Sequence, residues 1–187
     1  MPSKNVNIGL VGLGTVGRST VEILQKERKR LEEVTGIRLN LLKVADRHPE
    51  KKKTAPFAAH VLTRDYRDVI SHPDIQIVGE LAGGTTDAYD IISGALQNGK
   101  HVVTANKAVL AERGEALFAL AKARGRCIGF EGAVCGGIPV IRALKEGLVA
   151  NRILSIFGIL NGTTNFILSK MRFDGMGFTA ALHEAQR

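Results

Sequence analysis

Apolar and polar positions alternate in two rhythms along the first 130 residues. Asn5–Val11 reads Asn-Val-Asn-Ile-Gly-Leu-Val, a short β-run that ends in glycines. From Thr15 to about Val34 the apolar residues Val16, Val21, Ile23, Leu24 and Leu31 follow a helical period, and Gly36 stops it. Ile37–Ala45 is a second apolar run with strand-like alternation at its start. Arg47–Thr54 is polar and basic, contains Pro49 and reads as loop. Tyr66–Ile70 is a short helix closed by Ser71-His72-Pro73, and Ile75–Gly79 is a third strand. Thr86–Gln97 is helical up to Asn98-Gly99, and His101–Thr104 is a very short fourth strand. Glu112–Arg124 is a helix ended by Gly125, and Arg126–Phe130 is a fifth strand. Strands and helices taking turns in this way build βαβ units, whose parallel sheet is covered on both faces. The expected fold class is α/β, with a doubly wound parallel sheet over residues 1–130.

After Phe130 the rhythm changes. Glu131–Pro139 is glycine-rich loop, and Pro139–Gly147 is a short helix with proline near its first turn. Arg152–Leu160 reads as a long apolar strand, Asn161–Lys170 as a helix opening on polar caps, and Phe178–Arg187 as an amphipathic helix without a stop signal. One strand and two helices do not close a two-layer domain. Residues 131–187 are therefore expected to be the beginning of an incomplete α+β domain, and the chain to be truncated.

Composition narrows the function classes. The chain has 187 residues, room for one full domain and part of a second. Hydrophobic residues at 44% and charged residues at 24% argue against disorder. No stretch approaches the roughly 18 apolar residues of a membrane helix. Met1-Pro2-Ser3-Lys4-Asn5 has no apolar core behind it, so no secretory signal is expected. Cys127 and Cys135 read as reduced thiols of a cytoplasmic protein. The five histidines lack metal-ligand spacing. The net charge of +8 fits either a lysine-rich soluble surface or an anionic ligand, nucleic acid or a phosphate-bearing cofactor. The basic clusters Lys26–Arg30 and Lys51–Lys53 lack aromatic partners, and the chain has no Trp, so nucleic acid is set aside.

The chemistry is concentrated in Gly12-Leu13-Gly14-Thr15-Val16-Gly17. This GxGxxG run follows a predicted strand and opens a predicted helix, the context that gives it meaning. Gly12 allows the tight turn, Gly14 a close approach of backbone to a pyrophosphate, and Gly17 close packing of helix on strand. Free N–H groups at the helix start bind the anion. The sheet is thus expected to be Rossmann-type. At the end of the second strand an acid suits a ribose 2′-hydroxyl and an arginine a 2′-phosphate. The chain has both, Asp46 and Arg47, with Lys51, Lys52 and Lys53 following, so NAD and NADP both stay open.

Four further segments are more specific. They are Glu80-Leu81-Ala82-Gly83-Gly84, Val102-Val103-Thr104-Ala105-Asn106-Lys107, Glu131-Gly132-Ala133-Val134-Cys135-Gly136-Gly137-Ile138-Pro139, and Gly158-Ile159-Leu160-Asn161-Gly162-Thr163-Thr164-Asn165-Phe166-Ile167-Leu168. In this order they resemble homoserine dehydrogenase along essentially the whole chain. That resemblance implies NAD(P)-dependent interconversion of aspartate 4-semialdehyde and homoserine, in the pathway to threonine and methionine. It also implies that the loop from Gly12 to Gly17 holds the pyrophosphate, that Gly84 and Thr85 lie near the cofactor, and that Lys107 faces cofactor and substrate. Glu131, Val134, Gly136 and Ile138 match a loop that holds a monovalent cation, usually sodium, largely through backbone carbonyls. Asn161, Gly162, Thr163 and Thr164 would line the substrate cleft, making residues 131–187 the start of a substrate and dimerisation domain. A homodimer in the cytoplasm is implied for the complete enzyme.

Residue chemistry is compatible with this. A lysine just beyond a buried strand can stabilise negative charge developing on an aldehyde oxygen. The family's Gly-Tyr-Ala-Glu, Asp-Pro and Asp-Ala-Ala-x-x-Lys stretches, which supply the substrate-gripping acids and the proton-donor lysine, do not occur in these 187 residues. Little or no turnover is therefore expected of them alone. Cys135 has no base predicted beside it, so acyl-cysteine chemistry fits poorly. Two alternatives are a non-catalytic nucleotide-sensing module and another amino-acid or semialdehyde dehydrogenase on the same fold.

Overall fold

Lys4–Val11 forms β1, around which the sheet is built. Its side chains alternate between two faces, as a strand requires. Ile8 and Leu10 enter one core, with Leu13, Val21 and Val44. Val11 enters the other, with Val69, Ile75, Val78, Ile91 and Leu117. Gly9 faces this second core, where an added Cβ would lie 2.4 Å from Val69 Cγ1 and 2.8 Å from Ile75 Cδ1. The absent side chain is what lets the neighbouring layer close on the strand.

The computed structural model describes residues 4–52, 61–159 and 161–186. The chain divides into two units, Met1–Ala133 and Val134–Arg187. In the first, β1 pairs in parallel with β2 (Ile37–Ala45) on one side and β4 (Ile77–Glu80) on the other. β3 (Leu62–Thr63), β5 (His101–Thr104) and β6 (Ile128–Gly129) complete the order β3-β2-β1-β4-β5-β6, all parallel. The expected α/β, doubly wound parallel sheet is therefore present. Strand order reverses between β1 and β4, the switch point where such sheets open a crevice at their carboxyl ends.

Several elements differ from the sequence reading. The long first helix is two, α1 (Thr15–Lys26) and α2 (Arg28–Thr35), separated at Glu27, where φ is −95° and ψ 10°. An apolar period cannot reveal one residue of non-helical backbone. β3 went unpredicted because two residues show no alternation. α3 (Arg67–Ile70) and α4 (Thr86–Gln97) fall where expected. α5 (Lys107–Ala123) begins well before the predicted Glu112, because the Asn106 side chain caps it, accepting from Val109 N–H at 3.2 Å. The third strand runs to Glu80, and β6 is shorter than the expected Arg126–Phe130.

In the second unit α6 (Val140–Arg142) passes into a π turn over Ala143–Gly147. The predicted strand over Arg152–Leu160 does not form. Residues Arg152–Ile159 have no regular structure, and Leu160 lies outside the described residues. A strand needs a partner for its N–H and C=O groups, and among the described residues none pairs with this segment. Its apolar side chains stay out, with Leu154 85% and Phe157 93% exposed. α7 (Gly162–Phe173) runs past the expected Lys170. α8 (Phe178–Ala185) ends before Arg187, which lies outside the described residues. Lys170 ties the two helices, with Nζ 2.9 Å from Asp174 and 3.3 Å from Glu184, and these carboxylates raise its pKa.

Candidate functional site

β1 delivers Gly12 to the switch point, and the turn there is dictated by sterics. Gly12 has φ of 99°, a conformation that side-chain-bearing residues rarely adopt. An added Cβ would lie 2.5 Å from the Leu81 carbonyl group and 2.6 Å from Ala82 N. A Cβ on Gly17 would lie 2.0 Å from the Gly12 carbonyl oxygen, so α1 rests directly on the turn. A Cβ on Gly14 would meet nothing within 4 Å. The three glycines therefore serve turn, open approach and helix packing respectively. Gly14 precedes the first turn of α1, and Thr15 and Val16 are exposed beside it, while Leu13 is buried.

The turn is pinned from β2. Gly12 N–H donates to the Ala45 carbonyl at 2.8 Å, and Leu13 N–H donates to Asp46 Oδ2 at 2.9 Å. Asp46 Oδ1 accepts from His48 N–H at 2.9 Å. Asp46 is half-buried, with both carboxylate oxygens engaged by backbone. Arg47 is exposed and ion-paired with Asp87 in the first turn of α4. Arg64 Nη2 lies 3.1 Å from Glu50 Oε2, and His48 Nδ1 lies 3.4 Å from Glu50 Oε1. The Glu50 carboxyl is held below the ordinary carboxylate range, first by a backbone hydrogen bond, with burial opposing and Arg64 and His48 adding to the lowering. Lys51 and Lys52 end a 3-10 turn over Pro49–Lys52, and Lys53 lies outside the described residues.

These groups enclose a cleft of about 270 Å³. Gly12, Gly14, Asp46 and Arg47 line it, all four expected from the sequence. Arg64, Tyr66 and Asp87 line it as well without a signal of their own, and Leu81 and Ala82 come from the segment Glu80–Gly84 that the sequence singles out. A turn with open backbone at a helix start, flanked by the carboxylates of Asp46 and Asp87 and the guanidinium groups of Arg47 and Arg64, suits a phosphate-linked ribose. The residues present thus fit a dinucleotide.

Across the switch point β4 ends in Glu80, which is 0% exposed. Its Oε1 accepts from Ala82 N–H at 3.0 Å and Gly83 N–H at 3.2 Å, and its Oε2 accepts from the Thr104 hydroxyl at 2.7 Å. Thr104 Oγ1 in turn accepts from Asn106 N–H at 3.0 Å, and Asn106 Nδ2 donates to the Gly84 carbonyl at 2.7 Å. Gly83 and Gly84 both have positive φ, at 76° and 73°. Thr85 follows as the residue before α4, and Lys107 is the exposed first residue of α5. Glu80, Thr104 and Asn106 lie in segments that the sequence singles out, but none of the three is among the expected site residues. Asn106 was legible as a polar cap three residues before the buried Val109. The other two have meaning only once β4 and β5 are neighbours.

The remaining expected residues divide between the units. Glu131 lies in a 3-10 turn at the end of the first unit, whereas Val134, Gly136 and Ile138 open the second. No cluster of three or more His, Cys, Asp or Glu residues suited to a metal occurs among the described residues. Asn161 caps α7, accepting from Thr164 N–H at 2.9 Å, and the Thr164 hydroxyl donates to the Asn161 carbonyl at 3.0 Å. Gly162 and Thr163 line a hollow of about 340 Å³ with Phe166, Glu184 and Ala185. No helix among the described residues is long and apolar enough to cross a membrane.

Residues 12–131 match the family described as homoserine dehydrogenase, NAD binding domain, and residues 139–187 match the family described as homoserine dehydrogenase. A homoserine dehydrogenase of Pseudomonas aeruginosa is 46% identical over 98% of this chain and 42% of its own length. The crystal structure of a homoserine dehydrogenase from Thiobacillus denitrificans superposes with a TM-score of 0.88 at 45% identity, over 99% of this chain and 43% of that one. A hyperthermophilic archaeal homoserine dehydrogenase solved in complex with NADPH superposes with a TM-score of 0.78 at 29% identity, over 97% of this chain and 60% of that one. The chain spans 42% of the length of the first curated relatives it matches.

Proposed function

The chain belongs to the homoserine dehydrogenase family, and from that premise we propose that it supplies the nicotinamide-dinucleotide site for interconverting aspartate 4-semialdehyde and homoserine. The observation that carries this reading is the glycine triad at the switch point. At Gly12 and Gly17 an added Cβ would run into neighbouring backbone, whereas at Gly14 it would meet nothing within 4 Å. Gly14, at the N-cap of α1, leaves the backbone at the helix start bare toward the cleft, which supports a close approach by a pyrophosphate.

In this reading Gly12, Leu13, Gly14, Thr15, Val16 and Gly17 hold the pyrophosphate, with N–H groups at the start of α1 turned to the anion. Asp46 and Arg47 flank the adenosine ribose, and Gly84 and Thr85 bound the cofactor on the β4 side. When bound, the cofactor supplies or accepts the hydride. Lys107 stabilises negative charge on the substrate oxygen as the carbonyl is reduced. Asn161, Gly162, Thr163 and Thr164 contact the substrate, and residues 131–187 begin the substrate and dimerisation domain. Backbone carbonyls of the loop bearing Glu131, Val134, Gly136 and Ile138 hold a sodium ion. The biosynthetic role, a cytoplasmic location and a homodimer follow from the family and belong to the same proposal.

The cleft carries signatures of both cofactors. Asp46 favours a free ribose hydroxyl, whereas Arg47 and Arg64 favour a 2′-phosphate, each after releasing its present acid partner. Equilibrium titration of NADPH and NADH by nicotinamide fluorescence tests the reading. Tight NADPH with weak NADH assigns Arg47 to the phosphate, and the reverse assigns Asp46 to the ribose. Binding of neither by a chain with native circular dichroism sinks the proposal.

A further inference from the structure

Glu80 is a buried carboxylate that forms no ion pair among the described residues. Such a group is costly to take out of water, and an apolar side chain of similar size would fill the space without that cost. What a carboxylate offers here is acceptance of three hydrogen bonds without a donor of its own to place. Two come from the Leu81–Gly84 loop and one from the end of β5.

These bonds form part of a closed ring. From Glu80 the path runs to the Thr104 hydroxyl, to Asn106 N–H, through the Asn106 amide to the Gly84 carbonyl, and back along the loop. Polarity around the ring is fixed, since Thr104 donates to Glu80 and can then accept from Asn106. The ring joins two pieces of the site. Leu81 and Ala82 line the cleft, and their backbone is what an added Cβ on Gly12 would strike. Asn106 caps the helix whose first residue is Lys107.

We propose that Glu80 is a positioning residue for the cofactor: through Thr104 and Asn106 it locks the Leu81–Gly84 wall of the cleft and the start of α5 into one rigid piece. The proposal rests on the cleft being a nucleotide site. The loop is anchored at its start, where the Leu81 side chain packs on the core of Ile8, Leu10 and Val21, and beyond Leu81 it depends on the ring. Its two successive left-handed glycines are the most freely rotating residues available. Among the described residues its polar contacts, beyond Leu81 N–H donating to the Val11 carbonyl at 2.7 Å, are those of the ring.

The test compares Glu80→Gln, Thr104→Val and Thr104→Ser in this chain. NADPH and NADH binding is read by fluorescence titration, and amide hydrogen exchange is followed at Ala82, Gly83 and Val109. Glu80→Gln turns an acceptor into a donor facing Thr104, and Thr104→Val removes the link at nearly constant volume. Both are expected to weaken nucleotide binding by about tenfold, the scale of one buried polar partner lost. Both should also quicken exchange at all three amides together. Thr104→Ser keeps the hydroxyl and is expected to bind as the parent chain does. If Glu80→Gln fails to fold, Thr104→Val carries the test. Unchanged binding in variants that have merely lost thermal stability would overturn the positioning role and leave the cofactor reading intact. Faster exchange confined to Ala82 and Gly83, with Val109 as in the parent, would also overturn it. A parent chain that binds neither nucleotide overturns both readings.

Discussion

The two units of this chain draw on similar apolar material with different results. In the first, every central strand finds neighbours, and helices bury Val21 on one face and Ile91, Ile92, Leu96 and Leu117 on the other. In the second, Ile167 and Ala181 are the buried hydrophobic residues among those described, while Leu154, Phe157 and Ile159 are exposed. The same contrast separates their polar networks. Around Glu80 a buried bond to Thr104 and a part-buried bond from Asn106 to Gly84 join segments distant in sequence, whereas Asn161 caps its own helix in solvent. Apolar sequence becomes stability only where a partner surface removes it from water. A hydrogen bond fixes geometry most strongly where water cannot replace it.

The largest test of this contrast pairs Leu117→Ala with Phe157→Ser. Leu117 is fully buried between α5 and the sheet, so its truncation should cost about 2–5 kcal/mol in chemical denaturation. Phe157, 93% exposed, should change stability by no more than about 0.5 kcal/mol. Equal losses would show that the second unit hides its own core.

Next in size is Gly17→Ala. The new Cβ must displace the Gly12 carbonyl, and overpacking of this kind costs about 1–3 kcal/mol. Nucleotide binding should fall with it. Gly14→Ala meets no atom and should leave the melting temperature unchanged while weakening NADPH binding. A variant that melts and binds as the parent does would remove Gly14 from the site.

A smaller difference is expected between the two asparagine caps. Asn161→Ala should cost about 1 kcal/mol by thermal unfolding of the second unit, the usual worth of a cap. Asn106→Ala should cost more, because the buried Asn106 side chain also donates to the Gly84 carbonyl, a bond lost together with the cap. The reverse ranking would contradict the buried ring as the stiffer network.

The smallest effect concerns pH. Lys100 is buried, and its Nζ donates to the His72 carbonyl at 2.6 Å. Burial pushes its pKa below the ordinary lysine value, with Asp74 partly opposing. Between the folded and the unfolded pKa the unfolded chain therefore binds more protons, so this group makes stability rise with pH in the alkaline range. Lys100→Met should lack that rise in denaturation curves taken between neutral pH and the ordinary lysine pKa. A parent and variant that track each other would place the amine in water.

Legibility in the sequence followed the range of the interaction. β2, α4 and β5 were read with their observed ends, since each is a local run bounded by its own punctuation. The glycine turn was legible because its three constraints sit within six consecutive residues. The strand over Arg152–Leu160 was misread because its composition favours a strand but pairing is not a local property. The break at Glu27 was invisible because one backbone deviation leaves no trace in an apolar period.

The sequence by itself determined the α/β alternation, the turn from Gly12 to Gly17 and the acid and base after β2, because each depends on residues close along the chain. Only tertiary structure decided that Asp46 holds Leu13, that Arg47 meets Asp87, and that Glu80, Thr104 and Asn106 close one ring. Those contacts exist because parallel pairing of β1, β2, β4 and β5 brings their carboxyl ends to one edge, and strand pairing is settled by register and burial rather than by local residue pattern.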